Sequence, residues 1–194
     1  MEELRQAIRE HGVGLGTDIV KVDSFLNHRL DVGLITRMGE YIRDRFRDAE
    51  VDCVMTVESS GIPIAMATAQ AFGSIPMIFA KKSGHINVGQ DVYSAQVYSF
   101  THQRMNSVIV SRKYLHPGLR VLIVDDFLAN GAAIRGLREI LAEAQCVLVG
   151  AAVAIEKGFQ QGGELLRSEG VRLLSLAIVD EIRDGEIILR EGDD

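Results

Sequence analysis

The sequence offers almost no material for a disulfide or zinc framework. Its 194 residues hold two cysteines, Cys53 and Cys146, each inside an apolar run and without CxxC spacing or a neighbouring histidine. Two buried thiols in a reducing compartment are the expectation. His11, His28, His85, His102 and His116 show no spacing that would build a zinc site. Positive charge is also scarce. The formal net charge is −6 and the lysines and arginines are scattered, so nothing offers the basic face that a general nucleic-acid binder needs to displace counterions. No apolar run approaches the roughly 20 residues that span a bilayer. The first residues, MEELRQAIRE, are charged and amphipathic, unlike a secretory signal. A cytoplasmic protein with no nucleic-acid or membrane partner is expected. Disorder is not, because 47% of the residues are hydrophobic and 25% charged, an ordinary globular mixture.

The chain length suits a single domain. Leu4, Ala7 and Ile8 at helical spacing predict a short helix over residues 2–11, ended near Gly12. Residues 13–29 show no clear period. Ile35, Met38, Ile42 and Phe46 define one face of a helix over 31–46, with Asp31 as its cap. Then apolar strands (51–57, 76–80, 107–111, 120–124, 147–155, 171–178, 186–190) alternate with helices (62–72, 132–144, 162–169). Strands of this continuous Val/Ile/Leu kind predict an α/β fold with a mostly parallel central sheet flanked by helices. Ligands of such sheets bind beyond the carboxyl ends of the strands, which points to the loops 58–61 and 125–131. Residues 81–106 are polar, with weak strand character around 92–100; a connection this long is usually functional or mobile.

The strongest local signal is VLIVDDFLANGAAI, residues 121–134. Four apolar residues carry the chain through the sheet, two acids stand at its end, and small residues open a helix. Ala129, Asn130, Gly131, Ala132 and Ala133 let a ligand approach the backbone closely. Unpaired N–H groups at a helix start can surround one phosphate, helped by the helix dipole. Gly131 can adopt the left-handed conformation that such a nest needs. Asp125 and Asp126 can accept sugar hydroxyls and stabilise positive charge on a sugar ring. An acidic pair alone would also suit a metal or a phosphoacceptor site. The small-residue loop behind it favours a phosphorylated sugar.

This stretch resembles the 5-phosphoribosyl 1-pyrophosphate (PRPP) motif of the type I phosphoribosyltransferases. The likeness extends nearly end to end, through KVDSFLNH (21–28), VESSGI (57–62), VYSFT (97–101), DDFLANG (125–131) and IEKGFQ (155–160). The first and last of these stretches resemble the purine-specific members. The resemblance implies a type I phosphoribosyltransferase fold with a core of about 38–155 and a small hood built from about 1–37 and 156–194. It implies transfer of a 5-phosphoribosyl group from PRPP to N9 of an oxopurine, xanthine first, with guanine or hypoxanthine as the alternative. A non-catalytic PRPP-binding regulator is the alternative from another class. The loop 129–133 would hold the 5-phosphate, and Asp125 and Asp126 would face the ribose. Glu58, Ser59, Ser60 and Gly61 would bind pyrophosphate, and Val20, Asn27 and Lys157 the purine. Mg²⁺ would arrive with PRPP, residues 81–106 would form a lid, and the assembly would be a homodimer. Read without the resemblance, Lys157 is a surface lysine paired with Glu156, Asn27 is a turn amide, and Lys81 and Lys82, which could reach pyrophosphate from the end of their strand, are more simply solvated.

Overall fold

The computed structural model describes residues 1–83, 91–99 and 104–192. Strands β3 (Cys53–Val57), β4 (Met77–Ser83), β7 (Arg120–Leu128), β8 (Val147–Lys157) and β9 (Leu173–Arg183) run parallel in the spatial order β9-β8-β7-β3-β4. An antiparallel strand closes one side, β10 (Glu186–Leu189), and an antiparallel pair the other, β5 (Val92–Ser99) and β6 (Arg104–Ser111), making eight strands. The expected α/β class with a mostly parallel sheet is what forms.

Helices cover both faces. α2 (Val32–Arg45) and α3 (Ile62–Ala71) pack on one, α4 (Ala132–Glu143) and α5 (Gly162–Ser168) on the other, each over its own apolar cluster. α2 begins as its sequence dictates: the Asp31 carboxylate accepts the Leu34 N–H at 2.9 Å, satisfying one orphan donor of the first turn. Its apolar stripe buries Leu34, Ile35, Met38 and Ile42. α2 and α3 meet at Gly39, where an added Cβ would lie 2.5 Å from the Ala67 carbonyl carbon. At the bottom of the sheet Arg120 forks onto Asp52 at 2.8 and 2.6 Å, fixing the start of β7 against β3.

Three expectations change. Residues 13–21 form a small antiparallel hairpin, β1 (Val13–Leu15) and β2 (Ile19–Lys21), and Asp23–Asn27 coil into a π-helical turn. Three-residue strands are too short to show a period. In the described part of 81–106, β4 continues to Ser83, the weak strand character around 92–100 becomes β5, and the strand expected over 107–111 starts earlier, at Arg104; β5 and β6 form a hairpin whose Tyr93, Ala95, Val108 and Val110 are buried. Residues 84–90 and 100–103, where the lid expectation also falls, lie outside the described residues. Asp125 and Asp126 are strand residues, since β7 runs on to Leu128 and the loop begins only at Ala129.

α1 (Glu2–His11) and β1 pack against β9 and β10. The Gly14 N–H donates to the Gly185 carbonyl at 3.1 Å, and Arg5 donates to the carbonyls of Arg190 and Gly192. Among the described residues no helix is long and apolar enough to cross a membrane.

Candidate active site

Three strand ends converge above the sheet. β3 delivers Glu58, Ser59, Ser60 and Gly61 to the start of α3; β7 delivers Asp125, Asp126 and the loop into α4; β8 ends at Lys157. Lys157 is therefore the last strand residue and not a residue beyond the strand.

The loop after β7 is a backbone nest. Gly131 has φ 78°, in the left-handed region, and caps α4. The Asn130 side-chain oxygen accepts the Ala132 N–H at 2.9 Å, and Arg135 donates to the Asn130 carbonyl at 3.1 Å. Of the expected phosphate donors, Ala132 is thus engaged by its own neighbour. The N–H groups of Gly131, Ala133 and Ile134 have no intramolecular acceptor among the described residues. Bare amides at a helix start form an anion site.

The second loop is tighter. A Cβ on Gly61 would collide with the Thr56 hydroxyl and lie 2.5 Å from an Asp125 carboxylate oxygen, so only glycine lets α3 start against the acid pair. The N–H groups of Ser59, Ser60 and Gly61 have no acceptor among the described residues. Glu58 is different: its carboxylate accepts the Lys82 N–H of β4 at 2.6 Å. A carboxylate would repel a polyphosphate, and here it is turned to a structural bond.

Asp125 is buried, and its Oδ1 accepts the Asp126 N–H at 3.0 Å. Burial first, and then the charge of Asp126, push Asp125 well above the usual carboxylate range; the nearby Lys82 ammonium opposes this. Burial likewise raises Asp126, while hydrogen bonds from Asp125, the backbone and the Asn27 side chain pull it back. Asn27, from the π-helical turn, is thereby brought to the acid pair. Lys82 is exposed near the end of β4, as expected of a solvated lysine, and its charge acts on Asp125.

Lys157 donates to the Asp18 carbonyl in the β1–β2 turn at 2.6 Å and lies 6.0 Å from the centre of the Phe127 ring. Burial lowers its pKa, and Asp18 partly offsets this. It is not paired with Glu156. Adjacent strand residues point to opposite faces, and Glu156 is buried on the other side, held by Arg167 at 2.9 Å through both oxygens and by the Ser175 hydroxyl. Val20 is buried in the apolar cluster beneath this end.

The arrangement is one of a phosphate nest, a second bare-amide loop, and between them an acid pair, Asp125 buried and Asp126 half-buried, which together can hold a phosphorylated sugar. The model of the phosphoribosyl transferase domain matches residues 22–171. The chain belongs to the phosphoribosyltransferase family. Within that family it groups with proteins named xanthine phosphoribosyltransferase. It is 48% identical to that of Clostridioides difficile over 98% of this chain and 100% of the relative. It is 47% identical to that of Alkaliphilus metalliredigens over 98% and 94%. The fold is shared with the crystal structure of adenine phosphoribosyltransferase from Rhodothermus marinus, with a TM-score of 0.72 and 22% identity over 92% of this chain and 97% of that one.

Proposed function

We propose that this protein transfers the 5-phosphoribosyl group of PRPP to N9 of xanthine, giving xanthosine 5′-monophosphate and pyrophosphate. The observation that carries the reading is the row of bare amides at Gly131, Ala133 and Ile134, set just past an acid pair of which Asp125 is buried and Asp126 half-buried. The choice of acceptor rests on the full-length relatives.

In this reading the loop 129–133 clasps the 5-phosphate and the carboxylates of Asp125 and Asp126 accept the ribose hydroxyls. Displacing pyrophosphate builds positive charge on the ribose ring, and the acid pair stabilises it. The bare amides of Ser59, Ser60 and Gly61 receive the departing pyrophosphate. Glu58 orders that loop through Lys82 and does not touch the anion. Lys157 releases the Asp18 carbonyl and donates to the purine, whose edge is read with Asn27 above Val20. Water has to be kept from the anomeric carbon, or PRPP hydrolyses. Mg²⁺ would enter on the substrate's phosphates and use one or two carboxylates of the acid pair. When bound, Mg²⁺ neutralises charge on the leaving pyrophosphate. The core (38–155) and hood (1–37, 156–194) division, a homodimer and a cytoplasmic location belong to the same reading.

The test is pyrophosphate release with PRPP, Mg²⁺ and each of xanthine, guanine, hypoxanthine and adenine. The highest kcat/KM is expected with xanthine; preference for adenine would remove the role given to Lys157. PRPP binding without pyrophosphate release on any base would make the protein a PRPP-binding regulator. Lys157→Ala is expected to raise the KM for xanthine by roughly ten- to a hundredfold, the worth of one hydrogen bond from a charged donor. The Kd for PRPP should not move. Equal losses for both substrates would give the lysine another task.

A further inference from the structure

Gly162 opens α5 with no room for a side chain. A Cβ there would overlap the Ala129 carbonyl oxygen and lie 2.6 Å from both the Asn130 carbonyl carbon and the Gly131 nitrogen. The Gly162 N–H donates to that same Ala129 carbonyl at 3.1 Å. From the other side, a Cβ on Gly131 would sit 3.5 Å from the Gly162 Cα and 3.6 Å from a Leu166 methyl group. The first turn of α5 is therefore the back wall of the phosphate nest. Its own position is fixed by a buried anchor. Glu156 takes both arms of Arg167 at 2.9 Å, and a Cβ on Gly163 would overlap the Glu156 carboxylate. An Arg138–Glu169 ion pair joins the far end of α5 to α4, the helix that the nest opens.

We infer that α5 is a brace that sets the shape of the 5-phosphate nest, with Gly162 as a positioning residue and the Glu156–Arg167 pair as its anchor. The brace touches the backbone of Ala129, Asn130 and Gly131, the segment that aims the bare amides. Ser59, Ser60 and Gly61 open α3, which packs on the opposite face of the sheet from α5, so the influence of the brace falls on the 5-phosphate end of the substrate. The inference rests on the reading of residues 129–133 as the 5-phosphate loop.

The experiment compares ribose 5-phosphate with Mg²⁺-pyrophosphate, each bound to the whole protein by calorimetry, for the wild type, Gly162→Ala and Gly131→Val. In Gly162→Ala, affinity for ribose 5-phosphate and PRPP should fall roughly tenfold or more, because misplacement by a fraction of an ångström is enough. Affinity for pyrophosphate and the KM for xanthine should stay as they are, a split that general loosening of the fold would not produce. Unchanged ribose 5-phosphate affinity in Gly162→Ala, alongside a loss in Gly131→Val, would overturn the brace alone. No loss in either variant would overturn the loop reading beneath it. If Gly162→Ala does not fold, Arg167→Lys replaces the fork with a single ammonium. It should show the same split at smaller amplitude, and an equal loss for both ligands would refute the brace.

Discussion

Replacing Gly131 by valine should weaken PRPP binding by about a hundredfold or more. The residue holds φ 78° at the cap of α4. A left-handed conformation costs an L-residue about 1–2 kcal/mol, and a β-branched one more. The chain would relieve that strain by turning the Gly131 peptide, and the bare amides on either side would lose their common aim. Hydrogen bonds to a charged group contribute about 1.5–3 kcal/mol each, so losing one or two accounts for the expected factor. At Cβ the strain is conformational and not a clash, since that atom would meet nothing nearer than 3.5 Å. Asparagine, which tolerates the left-handed region, should therefore retain far more affinity than valine. Titration calorimetry with PRPP measures both, with the KM for xanthine and thermal unfolding as controls. Equal affinities in the wild type and the valine variant would end the nest assignment.

How far the sequence already disclosed this site depends on the range of the interaction. The nest was legible because it is local: four apolar residues, two acids and a run of small residues lie in consecutive positions, and Gly131 could be named for its conformation. The parallel core was legible for the same reason, as β3 and β8 are apolar on both faces. The β5–β6 hairpin was legible only in part: Val108, Ile109 and Val110 mark β6, whereas in β5 the buried Tyr93 and Ala95 are separated by Ser94 and followed by Gln96, which lowers the apparent hydropathy of that strand. What the sequence concealed was the set of partners. Glu156 beside Lys157 suggests a pair, but strand geometry sends them to opposite faces, and Arg167 arrives from α5 to take the carboxylate. The Lys82 charge acts on Asp125, Asn27 bonds to Asp126, and Lys157 meets the Asp18 carbonyl only because the fold joins distant segments. The Asn130 side chain held a local surprise: it fills one of the five amides that looked available.

Asp125→Asn should yield a protein that is slower and yet more stable near neutral pH. The loss of activity follows from removing a charge aimed at the developing positive ring, an effect on the order of 10²–10³ in kcat. The gain in stability follows from burial. Asp125 is buried beside a second carboxylate, and its pKa in the folded protein stands well above the ordinary 3.8. A carboxyl group raised in this way contributes stability that is fully present below its unfolded value and is lost as pH rises through the folded value. Below about pH 4 both proteins are neutral at this position and their Tm values should agree. Across the window above that, the wild type falls behind as Asp125 ionises, while the amide is unaffected and its oxygen still accepts the Asp126 N–H. Each kcal/mol relieved should raise the Tm of a chain of this length by about 2–4 °C. Asp126→Asn should move in the same direction but less, because hydrogen bonds from Asp125, the backbone and the Asn27 side chain already counter its burial. Thermal unfolding from pH 4 to 8, paired with kcat at pH 8, measures both halves. A variant less stable than the wild type at pH 8 would show that the ionised acid is well compensated in the empty protein. In that case its charge is not held in reserve for the sugar, and the acid pair loses the electrostatic role assigned to it.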